Sequence, residues 1–266
     1  MNTLLLNIPT PLLGTFIFLV GLCVGSFLNV CISRIPAKES VVYPASRCPR
    51  CGHTLAWWEN IPIVSYIFLK GKCSGCKARI SIQYPIVELL TGVVALWLWK
   101  RFGLGWEFVV YFIFSCSLIV VSFIDLEHKI IPDVISLPGI VLGLASSFLL
   151  PELSWLDSLL GIIFGGGILY LVTWGYYLVT KRIGMGGGDI KLLAMIGAFL
   201  GWQAIPFVIF ISALTGSIIG IIFVALKGAG RHYQIPFGPF LALGAEIQLF
   251  WGHEIMAIYS HFLSFN

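Results

Sequence analysis

The chain has 266 residues, of which 58% are hydrophobic and 11% are charged, and its mean hydropathy is +0.96. A soluble globular domain carries about a quarter charged residues, so the composition excludes that class and predicts a polytopic membrane protein. The net charge of +4 is small and comes mostly from loops. It therefore predicts a lipid bilayer as a partner and no nucleic acid.

Eight apolar segments approach or reach the length of a membrane-spanning helix, which needs about 20 mainly apolar residues. They are predicted at residues 11–33, 82–99, 106–124, 134–150, 158–180, 190–204, 205–226 and 236–252. The predicted fold class is therefore all-α, with about eight transmembrane helices and one sizeable polar loop between the first two.

Positive charge is concentrated on one side of this arrangement. Fourteen of the 16 Lys and Arg residues fall in loops on that side, and only Lys100 and Arg101 fall on the other. Because cytoplasmic loops carry an excess of basic residues, the basic side is expected to be cytoplasmic. The same side carries Asp125, Asp189 and four paired cysteines.

The first two predicted helices each carry a residue pattern of interest. Gly21 and Gly25 lie four residues apart and are followed by Ser26. Small residues at this spacing allow membrane helices to approach closely, which predicts a packing face.

Glu88, near the start of the second helix, has two interpretations. A carboxylate within the membrane is by default a functional residue, but one turn from the interface its side chain can also simply reach water.

The loop between these helices contains two Cys-x-x-Cys pairs. They are formed by Cys48 with Cys51 and by Cys73 with Cys76, and 21 residues separate the pairs. Four thiolates at this spacing fit a closed tetrahedral zinc site. The loop has little hydrophobic core, so a structural Zn²⁺ would stabilise it. His53 is an alternative ligand, and disulfides are disfavoured in a reducing cytoplasm.

Two aspartates stand at the ends of apolar segments on the basic side. Asp125 ends the third segment, and Asp189 follows the glycine run 186–188 at the start of the sixth. Two carboxylates a few ångströms apart share a proton, so one can activate water while the other polarises a carbonyl group. From the residues alone, an aspartyl protease dyad and the proton relay of a transporter are both open. A thiol–disulfide enzyme is a third interpretation, although its cysteines would lie on the reducing side.

Two further stretches predict breaks at helix ends. Asp133 follows Pro132, which fits an acidic residue in the first turn of the fourth helix. Residues 235–240 read Ile-Pro-Phe-Gly-Pro-Phe, which interrupts helix at the membrane edge and could line a cleft for an extended peptide.

With these motifs the chain resembles the bacterial type IV prepilin peptidases, which are bifunctional leader peptidases and N-methyltransferases. The resemblance covers nearly the whole chain. It is carried by residues 21–30, both Cys-x-x-Cys pairs, Glu59-Asn60-Ile61-Pro62, Tyr84-Pro85, Asp125 with Ile131-Pro132-Asp133, Gly186-x-Gly188-Asp189, and residues 235–239. It implies that Asp125 and Asp189 are catalytic, that Gly186 and Gly188 belong to the catalytic loop, and that the four cysteines bind zinc.

The resemblance also implies the reaction. Such an enzyme cleaves the basic leader from type IV prepilins or pseudopilins after a glycine, at the cytoplasmic face of the bacterial inner membrane. It then N-methylates the new N-terminal residue with S-adenosylmethionine as the methyl donor. Methyl transfer is expected in residues 1–104 and proteolysis in residues 105–266. Gly71 and Glu59 are the candidate residues for binding the methyl donor.

Overall fold

The computed structural model describes residues 9–182, 185–227 and 236–263 of the chain. Within these ranges the protein contains nine α-helices, a 3₁₀ turn at Trp57–Asn60, and no strand. The helices are α1 (Thr10–Arg34), α2 (Val64–Phe68), α3 (Gln83–Phe102), α4 (Trp106–His128), α5 (Asp133–Ser146), α6 (Trp155–Thr180), α7 (Gly187–Leu200), α8 (Ala204–Lys227) and α9 (Gly238–Leu263). The predicted all-α fold class is confirmed. Two residues used in the sequence analysis lie outside the described residues. They are Arg231, which is among the counted basic residues, and Ile235, the first residue of the stretch 235–240.

Each of the eight predicted apolar segments forms one helix, although some ends differ from the prediction. α7 ends at Leu200, not at residue 204, because Gly201 adopts a φ of +79° that other residues rarely reach. α9 continues to Leu263, beyond the predicted end at residue 252. The short α2 lies in the polar loop and was not predicted.

Four of the described helices, α1, α4, α6 and α8, have the length and the apolar composition needed to cross a membrane. α5 is apolar but shorter. These helices make the chain a multi-pass membrane protein. The full count of eight crossings remains a prediction.

The chain divides into two compact units, Met1–Val120 and Val121–Asn266, with the boundary inside α4. In the first unit α1 packs against α3. A Cβ atom on Gly21 would lie 2.8 Å from the Cα of Gly92, and one on Gly25 would lie 2.7 Å from the Cα of Glu88. The prediction that these small residues form a packing face is therefore confirmed.

The second unit is built around α7, which is buried from Leu192 to Phe199. Both α6 and α5 pack on it. The backbones of α6 and α7 touch, since a Cβ atom on Gly161 would overlap the Gly197 carbonyl group and one on Gly165 would lie 2.5 Å from the Leu193 carbonyl oxygen. This close packing fixes the position of the N-terminal turn of α7, which carries Asp189.

Candidate functional site

The two predicted catalytic aspartates both lie in the second unit. One is near the C-terminal end of its helix, and the other is near the N-terminal end of its helix. Asp125 is in the last turns of α4 and is buried, with 5% of its surface exposed. Asp189 is half-buried in the first turn of α7, where the amide groups of the helix terminus favour a negative charge. The carboxylates are close enough for their charges to interact. The structure therefore brings together the two residues that the sequence analysis paired.

A third residue, Gly238, completes the surroundings of Asp125. Its backbone N–H donates a 2.9 Å hydrogen bond to Oδ2 of Asp125, across 113 residues of sequence. A Cβ atom at this position would lie 2.8 Å from the same oxygen, so only glycine allows the contact. Sequence reasoning missed this residue. The signals for it in the sequence are the helix-breaking stretch 235–240, which predicts a cleft, and the presence of residues 235–239 among those that carry the family resemblance.

The glycines before Asp189 have different structural environments. Gly188 packs against Ile131, and a Cβ atom on Gly188 would lie 2.8 Å from the Ile131 Cβ atom. Gly186 is the N-cap of α7 with an extended backbone that any residue can adopt. A Cβ atom there would lie 3.8 Å from the Asp189 carboxylate, which is ordinary contact. A steric reason for glycine therefore exists at Gly188.

An ion pair connects α5 to α7, the helix that carries Asp189. The Lys191 ammonium donates to both oxygens of Asp133, at 2.7 and 2.8 Å. Asp133 is the first residue of α5, as predicted, and Lys191 is in the second turn of α7. The pair therefore joins the starts of α5 and α7 close to the dyad.

This arrangement is suited to hydrolysis without a covalent intermediate. One carboxylate can act as the base on a water molecule while the other, in its acid form, polarises the carbonyl group of a peptide bond. Burial of Asp125 and the nearby charge of Asp189 make it costly for both groups to be ionised together.

The four paired cysteines of the first unit converge on one point. The sulfur atoms of Cys48, Cys51, Cys73 and Cys76 all lie within 4.8 Å of one another. Cys48 and Cys76 are 3.9 Å apart, as are Cys51 and Cys73. A disulfide is about 2 Å long, whereas sulfur ligands about 2.3 Å from a tetrahedral zinc are about 3.8 Å apart. The cluster therefore fits Zn²⁺ and does not contain disulfides.

Two similar turns carry these cysteines. In the first, the Cys48 N–H donates to the His53 carbonyl group, and the backbones of Arg47 and Thr54 form an antiparallel β-bridge. In the second, the Cys73 N–H donates to the Ala78 carbonyl group, and Lys72 pairs with Arg79. Each turn contributes one Cys-x-x-Cys pair, so a metal ion would hold the two turns together.

Glu59 is a buried carboxylate between these turns. Its Oε2 atom accepts a 2.8 Å hydrogen bond from the Ala56 N–H and lies 3.2 Å from Nε2 of His53. The Ser74 hydroxyl group of the second turn also faces this carboxylate. The interactions with Ser74 and Ala56 hold the pKa of Glu59 below its ordinary value. Glu59 thus pairs with His53 of the first cysteine turn and lies beside Ser74 of the second.

Gly71, the other candidate residue for binding the methyl donor, has different neighbours from Glu59. It adopts a φ of +65°, and a Cβ atom on it would lie 3.0 Å from the hydroxyl oxygen of Tyr66. Its N–H donates to the Tyr66 carbonyl group. Gly71 therefore lies in the turn that follows α2, in a conformation that favours glycine.

The chain matches two family descriptions along its length. Residues 19–102 match the Bacterial Peptidase A24 N-terminal domain, and residues 112–221 match the Type IV leader peptidase family. No solved structure matches it significantly.

Several curated relatives named prepilin leader peptidase/N-methyltransferase are similar over almost the whole chain. The protein from Pseudomonas aeruginosa is 42% identical, over 93% of both chains. The protein from Stutzerimonas stutzeri is 40% identical, over 91% of this chain and 92% of the relative. That from Xanthomonas campestris is 39% identical, over 91% and 93%. The chain therefore belongs to the type IV leader peptidase family, together with the prepilin leader peptidase/N-methyltransferases.

Proposed function

We propose that this enzyme cleaves the leader from type IV prepilins or pseudopilins after a glycine, with Asp125 and Asp189 as its catalytic dyad. Membership of the family makes prepilin cleavage and N-methylation its two activities. The observation that supports the dyad is the interaction of these carboxylates at the ends of α4 and α7. Gly186 and Gly188 form the loop that leads into Asp189.

In the proposed reaction, the dyad holds one proton. The ionised carboxylate takes a proton from water, the hydroxide attacks the carbonyl carbon of this glycine, and the protonated carboxylate donates to the carbonyl oxygen. As the tetrahedral intermediate collapses, the carboxyl group that took the proton from water gives it to the leaving nitrogen, and the other carboxylate takes a proton back from one hydroxyl group. The C–N bond breaks, which releases the leader and a new α-amine. The Gly238 N–H keeps the Asp125 carboxylate in one orientation throughout.

We further propose that the active site faces the cytoplasm and that the enzyme resides in the bacterial inner membrane. This proposal is supported by the excess of Lys and Arg in the loops that share a side with Asp125 and Asp189. A basic leader would then reach the acidic dyad from the cytoplasm while the apolar segment of the pilin stays in the bilayer.

Methyl transfer is proposed for residues 1–104, with proteolysis in residues 105–266. The match of residues 19–102 to the N-terminal domain of the family supports this division. Gly71 and Glu59 are proposed to contact S-adenosylmethionine, the methyl donor. Cys48, Cys51, Cys73 and Cys76 would hold a structural Zn²⁺, which stabilises their loop and takes no part in the chemistry.

A cleavage assay tests the proposed function. Purified enzyme in detergent is incubated with a prepilin and S-adenosylmethionine, and the products are weighed by mass spectrometry. Asp125→Asn and Asp189→Asn should each abolish cleavage. Glu127→Gln, an exposed carboxylate two residues from Asp125, is the matched control and should cleave normally. Cleavage that survives both aspartate substitutions would overturn the proposed dyad.

A further inference from the structure

A cavity of about 270 Å³ lies between α1 and the loop that follows it in the first unit. Its lining is mixed, with Ser26, Ser46 and Asn60 as polar residues, and Cys23, Phe27, Val30 and Pro62 as the others. Along α1 it adjoins an exposed apolar face formed by Phe16, Leu19, Val20, Cys23, Val24 and Phe27. A cavity with several polar groups thus lies at the end of an apolar face of α1.

Glu88 lies directly behind this lining and has no part in the aspartyl dyad. It is 7% exposed, and its carboxylate lies beside the Ser26 hydroxyl group of the cavity wall. Its Oε2 atom also accepts a 2.7 Å hydrogen bond from the N–H of Ile63. The cavity therefore has a buried carboxylate directly behind its wall.

The backbone at Ile63 is strained in a way that favours this contact. Ile63 has a φ of +60°, which a β-branched residue rarely adopts. Such strain persists only where the surroundings enforce it, and it is common at functional sites. Here the conformation directs the Ile63 N–H to Glu88, next to Pro62 of the cavity wall.

We propose that this cavity binds the α-amine of the mature pilin for methylation. In this arrangement the Ser26 hydroxyl group donates to Glu88 and its oxygen accepts from the amine, while the carboxylate supplies a matching negative charge. The apolar face of α1 would contact the apolar N-terminal segment of the pilin. The proposal rests on the N-methyl transfer activity described above and identifies its acceptor site.

The site is an open groove, and its volume of about 270 Å³ leaves room for one terminal residue. The chain that follows this residue would leave along the apolar face.

The chemistry requires a free lone pair on the amine. An α-amine has a pKa of about 7.7–8.0, so a large fraction is charged at neutral pH and first gives a proton to solvent. The nitrogen then attacks the methyl carbon of the sulfonium donor, a C–N bond forms and a C–S bond breaks. S-adenosylhomocysteine and a methylated ammonium are the products. Ser26 and Glu88 position the amine, and Glu88 acts through Ser26.

Steady-state methylation kinetics test this assignment. The acceptor is a mature pilin peptide without its leader, so the assay does not depend on the dyad. Ser26→Ala and Glu88→Gln should each raise the KM for the peptide about tenfold, the loss expected for one hydrogen bond to a charged group. The KM for S-adenosylmethionine should be unchanged, as should leader cleavage measured on prepilin. If Ser26 and Glu88 only supported the fold, their replacement would not raise the KM for the peptide alone.

Matched controls and contrary outcomes complete this experiment. Ser33→Ala removes an exposed hydroxyl group of the same helix, and Glu107→Gln removes a carboxylate of α4, and both should methylate normally. An unchanged peptide KM in both cavity variants would overturn the proposal. A raised KM for S-adenosylmethionine instead would also overturn it, because the cavity would then bind the donor. Wild-type enzyme that did not methylate at all would refute the proposed methyltransferase activity itself.

Crosslinking of the wild-type enzyme provides a second test that does not depend on how variants fold. A mature pilin peptide with benzoylphenylalanine at its first residue is irradiated with the enzyme, and the crosslinked fragments are mapped by mass spectrometry. Crosslinks should fall at residues 23–30 and 60–62. An exclusive crosslink elsewhere in the chain would contradict the proposed site.

Discussion

At the scale of single residues, Gly238 gives the sharpest prediction for the peptidase activity. Gly238→Ala would introduce a Cβ atom 2.8 Å from Oδ2 of Asp125 and push the carboxylate away from its hydrogen bond. Because a displacement of about 1 Å in a catalytic group can cost about 100-fold in rate, we expect cleavage to fall by that factor. Methylation of a mature pilin peptide should be unchanged.

The matched control for this substitution is Gly167→Ala. Gly167 lies within α6, and a Cβ atom there would have no neighbour within 4 Å. Alanine also has a higher helix propensity than glycine, so the control should be neutral or slightly stabilising. Equal loss of cleavage in both variants would show that the effect at Gly238 is not steric.

Glu59 gives a prediction for the zinc loop. Glu59→Gln removes the charge that interacts with Ser74, Ala56 and His53, and so weakens the connection between the two cysteine turns. The concentration of a chromogenic chelator that removes the zinc should be about tenfold lower for this variant than for the wild type. A tenfold loss is the low end of the change in metal affinity seen when residues that support metal ligands are replaced. Glu39→Gln, an exposed residue of the same loop, is the control.

The pH dependence of this effect follows from the lowered pKa of Glu59. A carboxyl group with a depressed pKa stabilises the fold above its unfolded pKa, and this contribution is lost as the pH falls through the folded value. The difference between Glu59→Gln and the wild type should therefore be constant around neutral pH. Unchanged zinc retention in Glu59→Gln would show that Glu59 does not support the zinc site. A raised KM for S-adenosylmethionine in the same variant would support its proposed contact with the methyl donor.

At the scale of helices, the ion pair between Lys191 and Asp133 should orient the start of α7. Both side chains are substantially exposed, at 38% and 56%, so the pair contributes at most about 1 kcal/mol to stability. Lys191→Met should therefore leave the melting temperature nearly unchanged. Cleavage should nevertheless fall by about tenfold or more, because the start of α7, which carries Asp189, loses its connection to α5.

A charge exchange separates this geometric effect from the loss of a positive charge near the dyad. Lys191→Asp combined with Asp133→Lys restores the ion pair with its polarity reversed. Cleavage by the double variant should exceed that of Lys191→Met in the same assay. If the double variant is no better than the single one, the charge of Lys191 matters more than its contact with Asp133.

At the scale of the whole chain, local composition was enough to predict most of the fold. The apolar segments each became one helix, and Gly21 and Gly25 correctly predicted the close packing of α1. The end of α7 was missed because it depends on the backbone of a single residue, Gly201.

The candidate site was predictable where its residues lie in short motifs. The cysteine pairs converge as their spacing predicts. Contacts between residues distant in sequence have no such signal. The Gly238 hydrogen bond to Asp125 spans 113 residues, and the Lys191 contact with Asp133 spans 58, so both required the packed structure. The hydrogen bond from the strained Ile63 to Glu88 is also a contact between residues distant in sequence, and it too required the packed structure.

The division of the chain into two units predicts that the two activities respond differently to loss of zinc. The cysteine cluster lies in the unit Met1–Val120, where a metal ion would hold two turns that have little apolar core of their own. The contacts that define the dyad lie in the unit Val121–Asn266. They are the hydrogen bond from Gly238 to Asp125, the ion pair of Lys191 with Asp133, and the packing of Gly188 on Ile131.

We therefore expect zinc removal to abolish methylation while leaving cleavage largely intact. Enzyme is treated with a chelator, its zinc content is measured, and both products are followed by mass spectrometry with the same pilin. Cys73→Ser should reproduce this result without chelator, because it removes one ligand from the cluster, whereas Cys116→Ser, outside the cluster, should retain zinc and both activities. If cleavage falls in parallel with zinc content, the cysteine turns must also support binding of the leader, since none of the dyad contacts involves them.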